Sequence, residues 1–168
     1  MLKKWKFWIV GGLGVCLIAG GVLYRSLYYS SVAVSWEEYK PYKLSLAKER
    51  HQPVVIDFYA DWCPTCHDLE TFVFKHKEVI EKLNPFVRLR VDATDMESSE
   101  AQMAIEKFDV PGLPVIVFLN GNGQEVSEAR VTGFVSVPEF FKSVEAFSKS
   151  LVTGRVPQGA GPGLKTNQ

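Results

Sequence analysis

Val54-Val55-Ile56-Asp57-Phe58-Tyr59-Ala60-Asp61-Trp62-Cys63-Pro64-Thr65-Cys66 is the stretch that decides the fold. It opens as a short, nearly continuous apolar run with β-branched residues, the pattern of a buried strand. It ends in a C-x-x-C pair where a helix can begin. The chain has 3 cysteines, and the other one, Cys16, lies in an apolar N-terminal stretch. A disulfide between Cys63 and Cys66 closes a very short loop, so it restricts the unfolded chain little and makes a poor staple. As a redox couple the pair is well placed. If Cys63 stands at the helix N-terminus, free N–H groups and the helix dipole favour its thiolate. Cys66, three residues on, shares that face and can resolve a mixed disulfide. Pro64 suits the first turn, where its missing N–H is not needed. Zinc is the competing use of such a pair, but it wants four ligands. No second C-x-x-C exists, and His51, His67 and His76 have no ligand spacing, so no metal and no cofactor are expected.

Outward from this centre the pattern alternates. Leu44 to Arg50 reads as a helix ending before Pro53, and Ser35 reads as an N-cap before Trp36-Glu37-Glu38. After Cys63, the residues Leu69, Phe72, Val73, Val79, Ile80 and Leu83 fall near helical spacing, with a break around Lys75–Lys77. Phe86 to Val91 alternates like a strand. Ser98-Ser99 leads into a helix through Met103, Ala104, Ile105 and Phe108. Pro114 to Leu119 is an apolar strand, Asn120-Gly121-Asn122-Gly123 a hairpin signal, and Glu125 to Gly133 the returning strand. Ser136-Val137-Pro138-Glu139 is a capping box opening an amphipathic helix to about Leu151. The order α, β, α, β, α, β, β, α implies parallel strands joined by helical crossovers and a final antiparallel hairpin. The expected class is α/β: a central mixed sheet with helices on both faces. The domain is expected over residues 36–151, after an N-terminal segment with linker over 1–35. A Gly- and Pro-rich tail covers 152–168 and is expected to be disordered.

The 168 residues carry 19 basic and 19 acidic side chains, unevenly placed. Lys3, Lys4, Lys6 and Arg25 flank the apolar N-terminus, and no acid precedes Glu37. The remainder is mildly acidic, which argues against a nucleic-acid surface. Phe7 to Tyr24 holds no charge. As a helix it would reach about 27 Å, enough to cross a hydrocarbon core. Basic residues cluster before it, so the body is expected on the outer side of the membrane. An uncleaved signal anchor is favoured. A cleaved signal peptide remains open, with Ala19-Gly20-Gly21 or Ser31-Val32-Ala33 as cleavage sites. Leu13-Gly14-Val15-Cys16 loosely matches a lipoprotein box, but Val15 is too large, and Cys16 reads as a small apolar filler. Each version exports the body to an oxidising compartment, where a free dithiol needs a reason.

Phe58-Tyr59-Ala60-Asp61-Trp62-Cys63-Pro64-Thr65-Cys66 resembles the thioredoxin active-site segment, and Pro111-Gly112-Leu113-Pro114 resembles that family's cis-proline loop. The likeness covers residues 36–150. With Ala129-Arg130-Val131-Thr132-Gly133-Phe134 it is greatest to the C-terminal thioredoxin-like domain of the DsbD transmembrane reductase. A stand-alone exported form also resembles DsbH-type periplasmic oxidoreductases. The resemblance implies a thioredoxin fold and thiol–disulfide exchange through Cys63 and Cys66. It implies that Asp57, buried and raised in pKa, takes the proton of Cys66; the alternative is a strand-end acid paired with a lysine. Glu70 shares the cysteines' helix face, where the DsbD-like domain has an acid that tunes them; the alternative is a solvated glutamate. Trp62 would shape the contact surface, or simply pack in the core. Pro114, if cis, would leave the Leu113 backbone to pair with an extended partner segment. His67 is expected to be exposed and minor. Two departures separate the chain from ordinary thioredoxins. Pro64-Thr65 replaces Gly-Pro between the cysteines and would tune the potential, and Thr71 stands where the active-site helix has a proline.

The implied activity is reduction of disulfides in exported proteins, with a membrane reductase as electron donor, by a monomer on the periplasmic side. It is anchored in the inner membrane if its N-terminus is kept, soluble if cleaved. An oxidase or isomerase with opposite poise, or a thioredoxin for cytochrome c maturation, uses the same residues. A membrane-tethered binding or copper-handling module is the non-enzymatic reading.

Overall fold

The computed structural model describes residues 33–153. The readings made for the N-terminal segment (anchor, cleavage sites, Cys16) and for the tail beyond 153 lie outside these residues. Among the described residues no helix is long and apolar enough to cross a membrane.

A five-stranded sheet forms the centre, in the order β1-β3-β2-β4-β5. The strands are β1 (Glu37–Glu38), β2 (Val54–Tyr59), β3 (Val87–Asp92), β4 (Val115–Leu119) and β5 (Val131–Thr132). The helices are α1 (Pro41–Glu49), α2 (Pro64–Phe72), α3 (Lys77–Leu83), α4 (Ser99–Lys107) and α5 (Val137–Thr153). Side chains alternate across a strand, and β2 shows it cleanly. Val54, Ile56 and Phe58 enter one core with Leu44 and Ala47 of α1 and Ala101 and Ala104 of α4. Val55 faces the other core, with Leu69 of α2, Val79 and Leu83 of α3, and Phe140, Val144 and Phe147 of α5. Asp57 shares the Val55 side of the strand. The expected mixed sheet with helices on both faces is therefore the fold observed.

Local signals place most elements. Helix α2 ends at Phe72 and α3 starts at Lys77, so the break falls where the hydrophobic spacing faltered. The glutamate half of the capping box before α5 is formed, with Glu139 Oε2 accepting from Ser136 N at 2.8 Å and from Ser136 Oγ at 2.7 Å. In the hairpin, Asn120 Oδ1 accepts from the amides of Asn122 and Gln124 at 2.9 and 3.0 Å. Gly121 sits so close to the His51 carbonyl that a Cβ would lie 2.5 Å from its oxygen.

Three expectations are corrected. Ser35 caps no helix: Glu37–Glu38 extend as an edge strand paired in parallel with Leu89–Arg90, and α1 begins later, with Pro41 in its first turn. Strand β4 is antiparallel to β2, not parallel. β3 ends with Asp92 level with Tyr59, and β4 starts with Val115 beside Phe58, so the connection through α4 leaves and re-enters at the same end of the strands, the C-terminal end of β2. The return from Glu125 to Gly133 is not one strand. After a bridge at Glu125 it turns through a 3₁₀ segment, Ser127–Ala129, and only Val131–Thr132 pairs with β4. Arg130 braces this turn, bonding Glu125 at 2.8 Å and donating to the carbonyls of Phe108 and Asp109 just past α4 at 2.8 and 2.9 Å. Upstream, Val34 is buried and its amide donates to the Phe74 carbonyl at 2.9 Å.

Candidate active site

Strand β2 runs out at Tyr59, and Ala60-Asp61-Trp62 turns the chain into α2. Cys63 is the N-cap of that helix, in an extended backbone conformation, and Pro64 occupies its first turn. A sulfur thus takes the place of the usual capping oxygen: the Cys66 amide points at Cys63 Sγ, 3.2 Å away. One turn in, Cys66 is joined to Cys63 by a disulfide with sulfurs 2.08 Å apart. Thr65 Oγ1 lies 3.5 Å from Cys63 Sγ. An amide donor and the helix N-terminus aimed at one sulfur favour negative charge there once the bond is reduced.

Both cysteines are 3% exposed. Ala60 completes their cluster, and Tyr59 and Leu113 pack against it. The Leu113–Pro114 peptide is cis. Trp62 is 56% exposed, held by its indole N–H, which donates to the Thr94 carbonyl at 3.0 Å. It lies outside the core and beside the disulfide in sequence. His67 is exposed, its Nε2 2.7 Å from the Asp61 carbonyl and its ring edge-on to Tyr59. Among the described residues no group of three or more His, Cys, Asp or Glu converges to hold a metal.

Among the described residues, Asp57 is the buried charged side chain of the core, 2% exposed. Burial pushes its pKa up to about 6, against the pull of Arg90 and with a push from Glu70. Its partner is an arginine, not a lysine. Arg90 Nε donates to Asp57 Oδ2 at 2.8 Å, and Arg90 Nη2 donates to Glu70 Oε2 at 2.7 Å. Glu70 is therefore not a solvated helix glutamate; it is bound into the same network. The guanidinium lies 5.1 Å from the Trp36 ring centre and 4.9 Å from that of Tyr59. Sequence reasoning missed Arg90. The signal was a charged residue between Leu89 and Val91 in mid-strand. Its meaning depended on the register that sets Arg90 beside Asp57.

Residues 41–148 match the thioredoxin-like domain family. The chain belongs to that family: its sheet, its helix-capping disulfide and its Leu113–Pro114 loop are those of a thioredoxin-like domain. Over 106 residues it is 37% identical to the thiol:disulfide interchange protein DsbD of Vibrio vulnificus, an alignment covering 63% of this chain and 18% of that protein. The chain thus spans about a fifth of the length of the curated relatives it matches. Among solved structures, a thioredoxin from Thermus thermophilus is 29% identical with a TM-score of 0.61, covering 74% of this chain and 95% of that one. The oxidised C-terminal domain of Neisseria meningitidis DsbD, 22% identical, shares the fold with a TM-score of 0.54, covering 68% of this chain and 98% of that one.

Proposed function

We propose that this chain is a thiol–disulfide oxidoreductase that reduces disulfides in exported proteins. The observation that carries the reading is the disulfide capping α2, with the Cys66 amide on Cys63 Sγ and a buried carboxylate of raised pKa tied to the same helix through Arg90 and Glu70. In the reduced chain, Cys63 thiolate attacks a partner's disulfide. A Cys63–partner S–S bond forms, and the partner's first thiolate leaves and takes a proton from water. Asp57 accepts the Cys66 proton, and Cys66 attacks Cys63 Sγ. The Cys63–Cys66 bond closes, and the partner leaves as its second thiolate, reduced by the two electrons the chain has lost. Leu113, packed against the cysteines, and exposed Trp62 form the docking surface, with an extended partner segment running beside Leu113. Pro64 and Thr65 adjust the potential.

The name of the DsbD relatives supports disulfide interchange. The uncharged Phe7–Tyr24 stretch behind basic residues supports export and anchoring, with a membrane reductase returning electrons to the centre. Two measurements test the reading. The reduction potential of the Cys63–Cys66 couple is expected well below the glutathione poise, toward the ~−270 mV of thioredoxin. A value near ~−120 mV would mark an oxidase instead. Insulin reduction with dithiothreitol is expected to fall to background in Cys63→Ala; retained activity in that variant rejects the catalytic assignment.

A further inference from the structure

Among the described residues, Arg90 is the one cation bonded to both Asp57 and Glu70, and the geometry around it is specific. It stands on β3 beside Asp57 of β2, in direct register. Both carboxylates meet the Nε/Nη2 edge of the guanidinium: Nε and Nη2 each lie 2.8 Å from Asp57 Oδ2, and the same Nη2 lies 2.7 Å from Oε2 of Glu70, which is one turn beyond Cys66 on α2. The aromatic rings of Trp36 and Tyr59 lie against it, and such contact both binds a cation and limits where it can move. Tyr59, two residues beyond Asp57 on the same strand face, packs on the cysteine cluster. The network therefore links the sheet to the redox helix within one turn of Cys66.

We infer that Arg90 is a positioning residue of the redox centre: by dividing its guanidinium between Asp57 and Glu70 it sets how readily Asp57 takes the Cys66 proton, and hence the pH range in which the dithiol works. The inference rests on the proposed role of Asp57 as proton acceptor. One monovalent cation is shared by two anions, so strengthening one bond weakens the other. Asp57 is buried and pays heavily for charge; Arg90 opposes that cost and Glu70 adds to it. Glu70 side-chain atoms are 27% exposed, and Glu70 and Arg90 line an open groove of about 360 Å³ with Val34, Trp36, Glu38 and Asp92. Water thus reaches Glu70 but not Asp57, and Arg90 is the group that connects them. The charged and titratable groups around this network are Glu38 of β1, Asp57 and Tyr59 of β2, Asp92 of β3 and Glu70 of α2, with Asp61, His67 and the two cysteines reached through Tyr59. β4 presents only Ile116 opposite Asp57.

The arrangement requires two substitutions to act on Asp57 in opposite directions. Arg90→Gln removes the cation, so Asp57 should hold its proton to higher pH. Glu70→Gln removes the competing anion and leaves Arg90 to Asp57, so Asp57 should ionise at lower pH. Arg90→Lys should fall between wild type and Arg90→Gln. The test is an infrared titration of the oxidised full-length chain, following the protonated-carboxyl band that Asp57→Asn abolishes, beside pH profiles of insulin reduction. Arg90→Gln is expected to move the Asp57 midpoint and the acid limb of the profile up by at least one pH unit, a tenfold loss of rate on that limb. Glu70→Gln is expected to move both down. Equal midpoints in all variants, or shifts of the same sign, overturn the inference. If Arg90→Gln does not fold, the signs from Arg90→Lys and Glu70→Gln decide. Absence of reductase activity in wild type would reject the proposed function, while the infrared midpoints would still judge Arg90.

Discussion

Replacing Asp57 with asparagine should make the oxidised protein more stable at neutral pH, and the size of the gain follows from its burial. Its carboxyl rises from 3.8 to about 6 on folding, chiefly through loss of solvent. The folded chain therefore holds this proton more tightly than the unfolded chain. Below about pH 4 the group is protonated in both states and costs nothing. Between about pH 4 and 6 the unfolded chain ionises first, and stability falls as pH rises. Above about pH 6 the full cost is present. At about 1.4 kcal/mol per pH unit, the rise corresponds to about 3 kcal/mol. Arg90's attraction is already inside that figure, because it opposes the rise. Asparagine keeps an oxygen for Arg90 Nε and carries no charge, so Asp57→Asn should gain about 3 kcal/mol at pH 7.5 and almost nothing at pH 4. Urea denaturation of the oxidised wild type and variant from pH 4 to 8 measures this directly. A variant no more stable than wild type at pH 7.5, or a gain that does not change with pH, would refute the reasoning.

Other substitutions probe the frame around the site. Ser136→Ala removes the hydroxyl of the capping box before α5 and should cost about 1 kcal/mol, lowering the melting temperature by about 4 °C in calorimetry. Gly121→Ala drives a methyl group to 2.5 Å from the His51 carbonyl oxygen. Relief requires backbone movement, so a loss of about 1–3 kcal/mol is expected in denaturant titration. Phe118→Ala empties a fully buried position whose ring lies 6.3 Å from Phe140 and 5.1 Å from Phe147. It should cost about 3–5 kcal/mol, with insulin reduction retained wherever the variant remains folded.

The parts of the fold that could be read in advance are those written locally. The strand Val54–Tyr59, the C-x-x-C at the head of a helix, the break near Lys75 and the capping box at Ser136 each depend on residues a few positions apart. The parts that could not be read depend on partners far along the chain. Two residues at Glu37–Glu38 have no periodicity to display, and become a strand only because Leu89–Arg90 present an open edge. The direction of β4 is decided by where α4 returns the chain, not by the apolar content of Val115–Leu119. Turn chemistry within Ser127–Ala129 overrode a run that looked extended. At the site, burial of Asp57 was legible from its apolar neighbours. Its partner stands 33 positions away, and a single residue of slip between β2 and β3 would have put Arg90 on the opposite face of the sheet.

The near-complete cover over both sulfurs, each cysteine 3% exposed, determines who can trade electrons with this protein. A freely diffusing small thiol meets little sulfur surface. On the proposed docking surface, a protein settled against Trp62 and Leu113 would keep its own disulfide beside Cys63 for as long as it stayed bound, raising the local concentration of its sulfur far above that in solution. Recognition and reactivity would thereby be the same event.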